Sequence, residues 1–332
     1  MLASARAIGE AKGRQDLYAR QAPGVLETLR SAAEVQSVES SNRIEGVVAP
    51  IERIRALAAQ KTTPVGRSEQ EIAGYRNVLA TIHVNAPAMR LTSGLVLQLH
   101  RDLFTYVPGK GGAWKRTDNE IVDVLSDGTT QLRFTPVPAH LVRAAVDDLH
   151  AGLNEALRLQ QVDALVIIGA YVLDILCIHP FPDGNGRIAR LLTLLLLYQA
   201  GYELGRYVSL ERVIEESRDT YYEALHRSSQ GWHEGRHDIG PWLEYFFGVL
   251  LAAYKELETR VGAITQARGY KRQMVIDCVA RLPDEFRIAD VERACSGVPR
   301  PTINRVLAEL RDRQRLESTG RGRDARWKKT GK

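Results

Sequence analysis

The stretch from Pro180 to Gly186 constrains the fold of this chain more than any other, because it separates two strongly apolar segments with helix-disfavouring residues. Pro180 and Pro182 disfavour helical conformation in the residues before them, so the helix predicted over 162–178 must end here. A second apolar helix, predicted over 187–200, begins directly afterwards. The chain therefore has to place a tight loop between two helices that are apolar enough to form a core.

The loop has the residue types of an anion-binding site. Gly184, Asn185 and Gly186 can adopt positive φ angles, so that successive N–H groups converge into a concave nest. The positive N-terminal end of the next helix faces the same place. Arg187 and Arg190 lie three residues apart in its first turns. Two guanidiniums, a nest and a helix N-terminus together suit a polyphosphate.

Two further side chains extend this interpretation. Asp183 can hold a magnesium ion against the phosphates, because magnesium takes few carboxylates and keeps several waters. His179 is close in sequence and can act as a general base near neutral pH. The Gly-Asn-Gly turn by itself is equally consistent with an ordinary loop between helices, whereas the residues from His179 to Arg190 taken together favour a functional site.

These twelve residues resemble the signature of the Fic family, H-x-F-x-[D/E]-G-N-G-R-x-x-R, and every defining position matches. Family members transfer AMP from ATP to a hydroxyl side chain of a target protein, and relatives transfer other phosphate-containing groups. The resemblance covers roughly residues 20–262. It implies a mainly α fold, namely a Fic-type helical bundle with a β-hairpin flap, together with a small C-terminal winged-helix domain.

The resemblance also implies a role for each polar position of the motif. His179 would deprotonate the target hydroxyl, and Asp183 would hold Mg²⁺. The ATP phosphates would be bound by Gly184, Asn185, Gly186, Arg187 and Arg190. The implied partner is a target protein with a Ser, Thr or Tyr hydroxyl, the chain itself included. Fic proteins of this layout often pair, so a homodimer is one implied assembly.

A second pattern lies near the N-terminus. Ser41 and Glu45 are four residues apart on a predicted helix, a spacing that by itself is common. Beside a Fic motif, residues 41–46 resemble the inhibitory pattern [S/T]-x-x-x-E-[G/N]. The resemblance implies that Glu45 pairs with Arg190 and blocks productive ATP geometry, which a carboxylate–guanidinium fork is suited to do. We therefore expect a largely self-inhibited enzyme.

Helical periodicity dominates the rest of the chain, apart from one segment. Helices are predicted within 17–57 and over 68–84, 91–104, 139–157, 209–227 and 238–262. Residues 114–138 contain two β-type runs separated by Ser-Asp-Gly-Thr, which predicts a hairpin that packs as a flap on helices. In the Fic family such a flap aligns the target backbone by strand addition. The short run Gly-Lys-Gly-Gly at 109–112 lacks the spacing of a phosphate-binding P-loop and is interpreted as the loop leading to the flap.

Three domains are predicted, namely a helical region at 1–90 with the inhibitory motif, a catalytic core at 91–262 and a winged helix at 268–330. Residues 268–332 contain 17 Lys and Arg against 9 Asp and Glu, a net +8, whereas the remainder has a net −3. Basic residues on a recognition helix and wing suit contacts to DNA phosphates and bases. The candidate DNA contacts are Arg300, Thr302, Asn304, Arg305, Arg321 and Arg323. Docking or dimerisation is the alternative role of this domain.

Composition favours a cytoplasmic protein without a membrane segment. The three cysteines form no C-x-x-C, and an odd number of them argues against a disulfide framework. The N-terminal residues show no apolar signal-peptide core, and the most apolar run is well short of about 20 residues. Two alternatives to an adenylyltransferase stay open, namely a nucleotide-sensing DNA-binding regulator and a Fic relative that transfers another phosphate-containing group.

Overall fold

The computed structural model describes residues 2–21, 23–124, 129–266, 269–295, 298–319 and 326–330. Within these ranges the fold is mainly α, as predicted, with fourteen α-helices and five short strands. The first eight helices are α1 Leu2–Gln21, α2 Pro23–Ile44, α3 Ile51–Ala58, α4 Arg67–Asn85, α5 Ser93–Leu103, α6 Val142–Leu159, α7 Ala164–Ile178 and α8 Asn185–Gln199. The others are α9 Leu210–Glu216, α10 Arg218–Ser229, α11 Gly240–Gln266, α12 Tyr270–Arg281, α13 Ile288–Ala294 and α14 Arg300–Asp312.

Local signals account for several helix boundaries. The Thr92 hydroxyl accepts a hydrogen bond from the Leu95 N–H and caps α5, and the Asp163 carboxylate caps α7 in the same way through Leu165. The single helix predicted over 209–227 is wrong, because α9 and α10 are separated at Ser217. The Ser217 hydroxyl donates to the Val213 carbonyl there, and such bonds from a side chain to the preceding turn compete with continued helix.

The strands form two separate sheets. β1 Ile121–Val124 pairs antiparallel with β2 Thr130–Phe134, which confirms the predicted hairpin, although residues 125–128 of its turn lie outside the described ranges. The second sheet is antiparallel with the strand order β3-β5-β4, formed by β3 Glu285–Arg287, β4 Leu316–Thr319 and β5 Arg326–Lys329.

The chain divides into two compact units. The first comprises Met1–Lys12 and Arg30–Lys255, and the second comprises Gly13–Leu29 and Glu256–Lys332. In the first unit, α7 and α8 are buried along almost their whole length and form the centre of the core. No helix in the described ranges combines the length and the apolar character that crossing a bilayer would require.

The second unit has its own apolar core. Val275 on α12, Val291 on α13 and Ile303 on α14 are fully buried there, and Trp327 on β5 packs against them. Residues 296–297 and 320–325 lie outside the described residues. The predicted contacts Arg321 and Arg323 therefore lie outside them as well.

Candidate active site

The turn between α7 and α8 begins at His179, which adopts the left-handed conformation with φ 49° and ψ 62°. The His179 N–H still donates to the Ile175 carbonyl at 3.0 Å, so this residue closes the last turn of α7. Its Nδ1 lies 3.3 Å from the Leu176 carbonyl. A carbonyl can only accept, so this contact places the ring proton on Nδ1 and leaves the lone pair on Nε2.

Burial dominates the charge state of this imidazole. Burial is the largest cause and brings the pKa of His179 to about 4; the hydrogen bond to Leu176 and the charge of Glu45 oppose it in part, and the charge of Lys115 acts in the same direction as burial. The ring is therefore neutral near pH 7. A neutral imidazole with a free Nε2 is the form that can accept a proton from a hydroxyl group.

The loop after His179 is held by the side chain of Asn185. Its Oδ1 accepts from the Phe181 N–H at 2.9 Å, and its Nδ2 donates to the Phe181 carbonyl at 2.7 Å. The Phe181 ring is fully buried and stacks on His100 with a centroid separation of 3.6 Å. With Oδ1 and one Nδ2 proton of Asn185 engaged, a phosphate contact from this residue can come from its main-chain N–H or from the second Nδ2 proton.

The two glycines of the loop differ in their surroundings. Gly184 has φ +83°, which side-chain-bearing residues rarely adopt, and it allows the sharp entry into α8. A Cβ atom at Gly186 would overlap Oε1 of Glu45. The Glu45 carboxylate thus lies directly over the N-terminus of α8, where a helix attracts anions.

Arg190 of α8 is engaged by the segment that carries the predicted inhibitory motif. Its Nε donates to the Ser41 hydroxyl at 2.9 Å, and its Nη2 donates to the Ser41 carbonyl at 2.9 Å and to Glu45 Oε1 at 2.7 Å. Ser41 is fully buried, Arg190 is nearly so, and the Glu45 side chain keeps 31% exposure. Burial opposes the charge on Arg190, but neighbouring Glu45 outweighs it and holds the pKa of the guanidinium above its usual range.

Arg187 faces a different neighbour. Its guanidinium is buried and donates to Glu71 on α4 at 2.7 Å, and it lies 3.4 Å from the Asn42 side-chain oxygen. Its other Nη lies 3.5 Å from an oxygen of Asp183. The structure therefore places Arg187 beneath the loop between Glu71 and Asp183, and it separates this guanidinium from that of Arg190. Sequence analysis did not identify Glu71, because a glutamate 116 positions away carries no local signal.

Asp183 is the carboxylate predicted to hold magnesium, and its side chain is 47% exposed. Partial burial raises the pKa of Asp183, but the hydrogen bond from Lys110 and the charge of Arg187 outweigh this and keep the pKa below its usual range. No group of three or more His, Cys, Asp or Glu residues suitable for a metal occurs among the described residues. One ionised, accessible carboxylate fits a magnesium ion that completes its shell with water and phosphate oxygens.

A cavity of about 560 Å³ adjoins these groups. His179, Gly186, Arg190 and Glu45 line one part of it, and the hairpin contributes Arg133 and other residues of β1 and β2. On α10, Tyr222 lines the cavity with the guanidiniums of Arg133 and Arg218 at 4.8 Å and 5.6 Å from its ring centroid. A cavity of this size, with Arg190 and the N-terminus of α8 at one part and an aromatic ring flanked by two guanidiniums at another, can accept a nucleotide.

The described candidate DNA contacts lie on α14 in the second unit. Arg300, Asn304 and Arg305 are exposed and Thr302 is partly exposed, whereas Ile303 on the opposite face is fully buried. The Arg300 Nε lies 3.2 Å from a carboxylate oxygen of Glu292.

Comparison with known proteins identifies the family to which these residues point. Residues 90–197 match the model of the Fic/DOC family. Over 232 residues the chain is 27% identical to protein adenylyltransferase Fic of Drosophila willistoni, which corresponds to 68% of this chain and 42% of that protein. It is 33% identical over 120 residues to protein adenylyltransferase fic-1 of Caenorhabditis elegans, covering 35% of this chain and 21% of that protein. The chain thus spans less than half the length of these relatives.

Solved structures show the same fold. A Fic family protein from Desulfovibrio desulfuricans G20 superposes with a TM-score of 0.65 and 23% identity over 100% of this chain and 96% of that chain. Residues 134–508 of Fic-1 from C. elegans give a TM-score of 0.62 at 21% identity, covering 79% of this chain and 72% of that chain. At these identities the likeness concerns the fold.

Proposed function

We propose that this chain, whose residues 90–197 match the Fic/DOC family model, is a protein adenylyltransferase that transfers AMP from ATP to a hydroxyl side chain of a target protein. The observation that carries the proposal is the neutral imidazole of His179, whose pKa burial lowers to about 4, in the same cavity as Arg190 and the N-terminus of α8. The cavity thereby offers a proton acceptor and an anion site to one bound nucleotide and one hydroxyl group.

In this proposal the target hydroxyl oxygen attacks the α-phosphorus of ATP. The bond from that phosphorus to the oxygen bridging the β-phosphate breaks, and pyrophosphate leaves. Nε2 of His179 takes the hydroxyl proton, since Nδ1 already carries the ring proton. The Gly184–Gly186 main chain and Arg190 bind phosphate oxygens and orient the nucleotide. Asp183 would hold a magnesium ion, which would supply positive charge to the polyphosphate.

We further propose that Glu45 inhibits this reaction in the resting protein. Its carboxylate lies over the N-terminus of α8 at Gly186 and binds Arg190 at 2.7 Å. A phosphate group approaching the same place would meet a negative charge and a guanidinium that is already paired. Displacement of the Ser41–Glu45 segment would free both the anion site and Arg190.

Labelled ATP tests the reaction. Purified protein carrying Glu45→Gly is incubated with magnesium and with either α- or γ-labelled ATP, and protein-bound label is measured with and without candidate targets. Label from the α position alone supports AMP transfer. Label from the γ position alone would instead favour transfer of another phosphate-containing group. The double variant Glu45→Gly/His179→Ala is the matched control and should take up no label.

For the C-terminal region we propose a winged helix over 268–330 that binds DNA. This proposal is supported by helix α14, which buries Ile303 and exposes Arg300 and Arg305 on another face, and by the net +8 of residues 268–332. Fluorescence anisotropy with duplex DNA at increasing salt tests it, because phosphate contacts predict a steep loss of affinity. Absence of binding to any duplex at low salt would favour the docking role.

A further inference from the structure

Lys110 is the one long side chain of a glycine-rich loop that the reaction proposed above leaves without a role. The loop reads Gly-Lys-Gly-Gly over residues 109–112. Gly109, Gly111 and Gly112 have φ angles of +73°, +87° and +76°, which side-chain-bearing residues rarely adopt. Such a backbone follows one particular path, and this path determines where the Lys110 ammonium lies.

The loop is fastened to Asp183 through His100 of α5. A Cβ atom at Gly111 would lie 2.7 Å from the His100 carbonyl oxygen, so only glycine permits this approach. The Gly112 N–H donates to Nδ1 of His100 at 3.0 Å, which leaves the ring proton on Nε2. Nε2 in turn donates to the Asp183 carbonyl at 3.0 Å. One imidazole thereby connects the main chain of the glycine loop to that of Asp183.

The side chains of Lys110 and Asp183 meet at the same place. Lys110 Nζ lies 2.9 Å from Asp183 Oδ2, while Arg187 lies 3.5 Å from Oδ1, so each carboxylate oxygen faces a cation. Arg187 is buried and also bound to Glu71. The Lys110 side chain is 33% exposed and reaches Asp183 from a surface loop. Of these two cations, Lys110 is the one that can withdraw without breaking a buried ion pair.

We propose that Lys110 is a displaceable counter-ion of Asp183, which neutralises the carboxylate in the nucleotide-free protein and competes with a divalent cation for Oδ2. The inference rests on the proposed role of Asp183 as the metal ligand. Because Lys110 competes for the Asp183 carboxylate, free divalent cations bind weakly. The carboxylate therefore binds a cation that arrives together with its nucleotide. After the exchange the ammonium stays near the site and adds positive charge beside the polyphosphate.

Binding of Mn²⁺ to the nucleotide-free protein tests the competition without any transfer reaction. Free Mn²⁺ is measured by electron paramagnetic resonance during titration of the full chain. Lys110→Met should raise the Mn²⁺ affinity about three- to tenfold, since it removes both a partly exposed ion pair and a repelling charge. Lys110→Arg should stay close to wild type. Lys61→Met, which removes an exposed lysine without a described partner, is the matched control and should also leave affinity unchanged.

A second measurement follows Lys110 in the wild-type protein. Saturating Mg²⁺ should increase acylation of Lys110 by an amine-specific reagent, read by peptide mass spectrometry, while acylation of Lys61 stays constant. In Asp183→Asn, Lys110 should be reactive with or without Mg²⁺. The proposal is overturned if the Mn²⁺ affinity of Lys110→Met equals or falls below that of wild type. Binding too weak to measure in both proteins would also overturn it. It is equally overturned if Mg²⁺ leaves Lys110 reactivity unchanged. A protein that binds Mn²⁺ as expected but transfers no AMP would instead refute the proposed reaction.

Discussion

Replacement of Glu45 by glycine should activate the protein strongly. Glu45 follows the last residue of α2, and its main-chain N–H donates to the Asn42 carbonyl, a bond that glycine retains. The substitution therefore removes the carboxylate with little effect on the helix. What is lost is one charge-assisted hydrogen bond to Arg190 at 2.7 Å and the negative charge over Gly186.

The size of the effect follows from this geometry. A hydrogen bond to a charged group contributes about 1.5–3 kcal/mol. Because the Glu45 side chain is 31% exposed, the lower part of that range applies, about 1.5–2 kcal/mol. Loss of that stabilisation of the inhibited state raises the ratio of active to inhibited protein about 10- to 30-fold. Ser41→Ala removes the hydrogen bond that Arg190 Nε donates to the Ser41 hydroxyl; its donor is charged, so about 1.5 kcal/mol and about tenfold activation are expected.

The assay is the initial rate of self-modification with α-labelled ATP and magnesium at equal protein concentrations. Glu45→Gln retains the size of the side chain without its charge and should give an intermediate rate. Glu39→Gln is the matched control, since Glu39 lies on the same helix and pairs with Arg43 on the surface. A rate for Glu45→Gly within twofold of wild type, with intact folding, would refute the inhibitory role.

Three further outcomes are expected. His179→Ala should abolish transfer in the Glu45→Gly background and leave ATP affinity, measured by calorimetry, within about threefold, because the imidazole binds a proton rather than phosphate. Asn185→Ala should lower the free energy of unfolding by about 2 kcal/mol in chemical denaturation, because the Phe181 N–H loses its partner. Stability should fall as pH decreases from about 6.5 to about 4, by up to about 1.4 kcal/mol per pH unit for each of His83, His100 and His179.

The pH prediction follows from the sign of the shifts. Burial lowers the pKa of all three histidines to about 4 in the folded protein. Between that value and the ordinary value near 6.5, the unfolded chain binds more protons than the folded one, so acid favours unfolding. Thermal unfolding at several pH values measures this, and a melting temperature that is constant from pH 6.5 to 4.5 would contradict it. Loss of ATP binding in His179→Ala, or unchanged stability in Asn185→Ala, would contradict the other two predictions.

The sequence by itself determined those features that depend on neighbouring residues. Apolar periodicity located α7 and α8, and prolines and glycines located the turn between them, because chain stiffness and helix hydrogen bonding act within a few residues. The same applies to the hairpin. The signature from His179 to Arg190 could be recognised in the sequence because its residues lie within one turn and the start of one helix.

Apart from Glu45 and Arg190, which a family pattern paired, only the tertiary structure decided which charged groups meet. Arg187 and Arg190 looked equivalent in sequence, yet one is bound by Glu71 on α4 and the other by Ser41 and Glu45 at the end of α2. Contacts of this kind join residues 116 to 149 positions apart. No spacing rule connects such positions, because the approach of two helices is set by the packing of whole apolar faces. For Glu45, a family pattern supplied the missing partner.

The partner of Lys110 in the glycine loop likewise could not be predicted from the sequence. The clustered glycines indicated an unusual backbone, but a Lys 73 positions before Asp183 gave no sign of its partner. The structure joins them because α5 packs against α8 and brings the His100 ring to the loop after α7. Neighbouring residues determine the local structure and chemistry of a segment. The pairing of charges between distant segments depends instead on how the whole core packs.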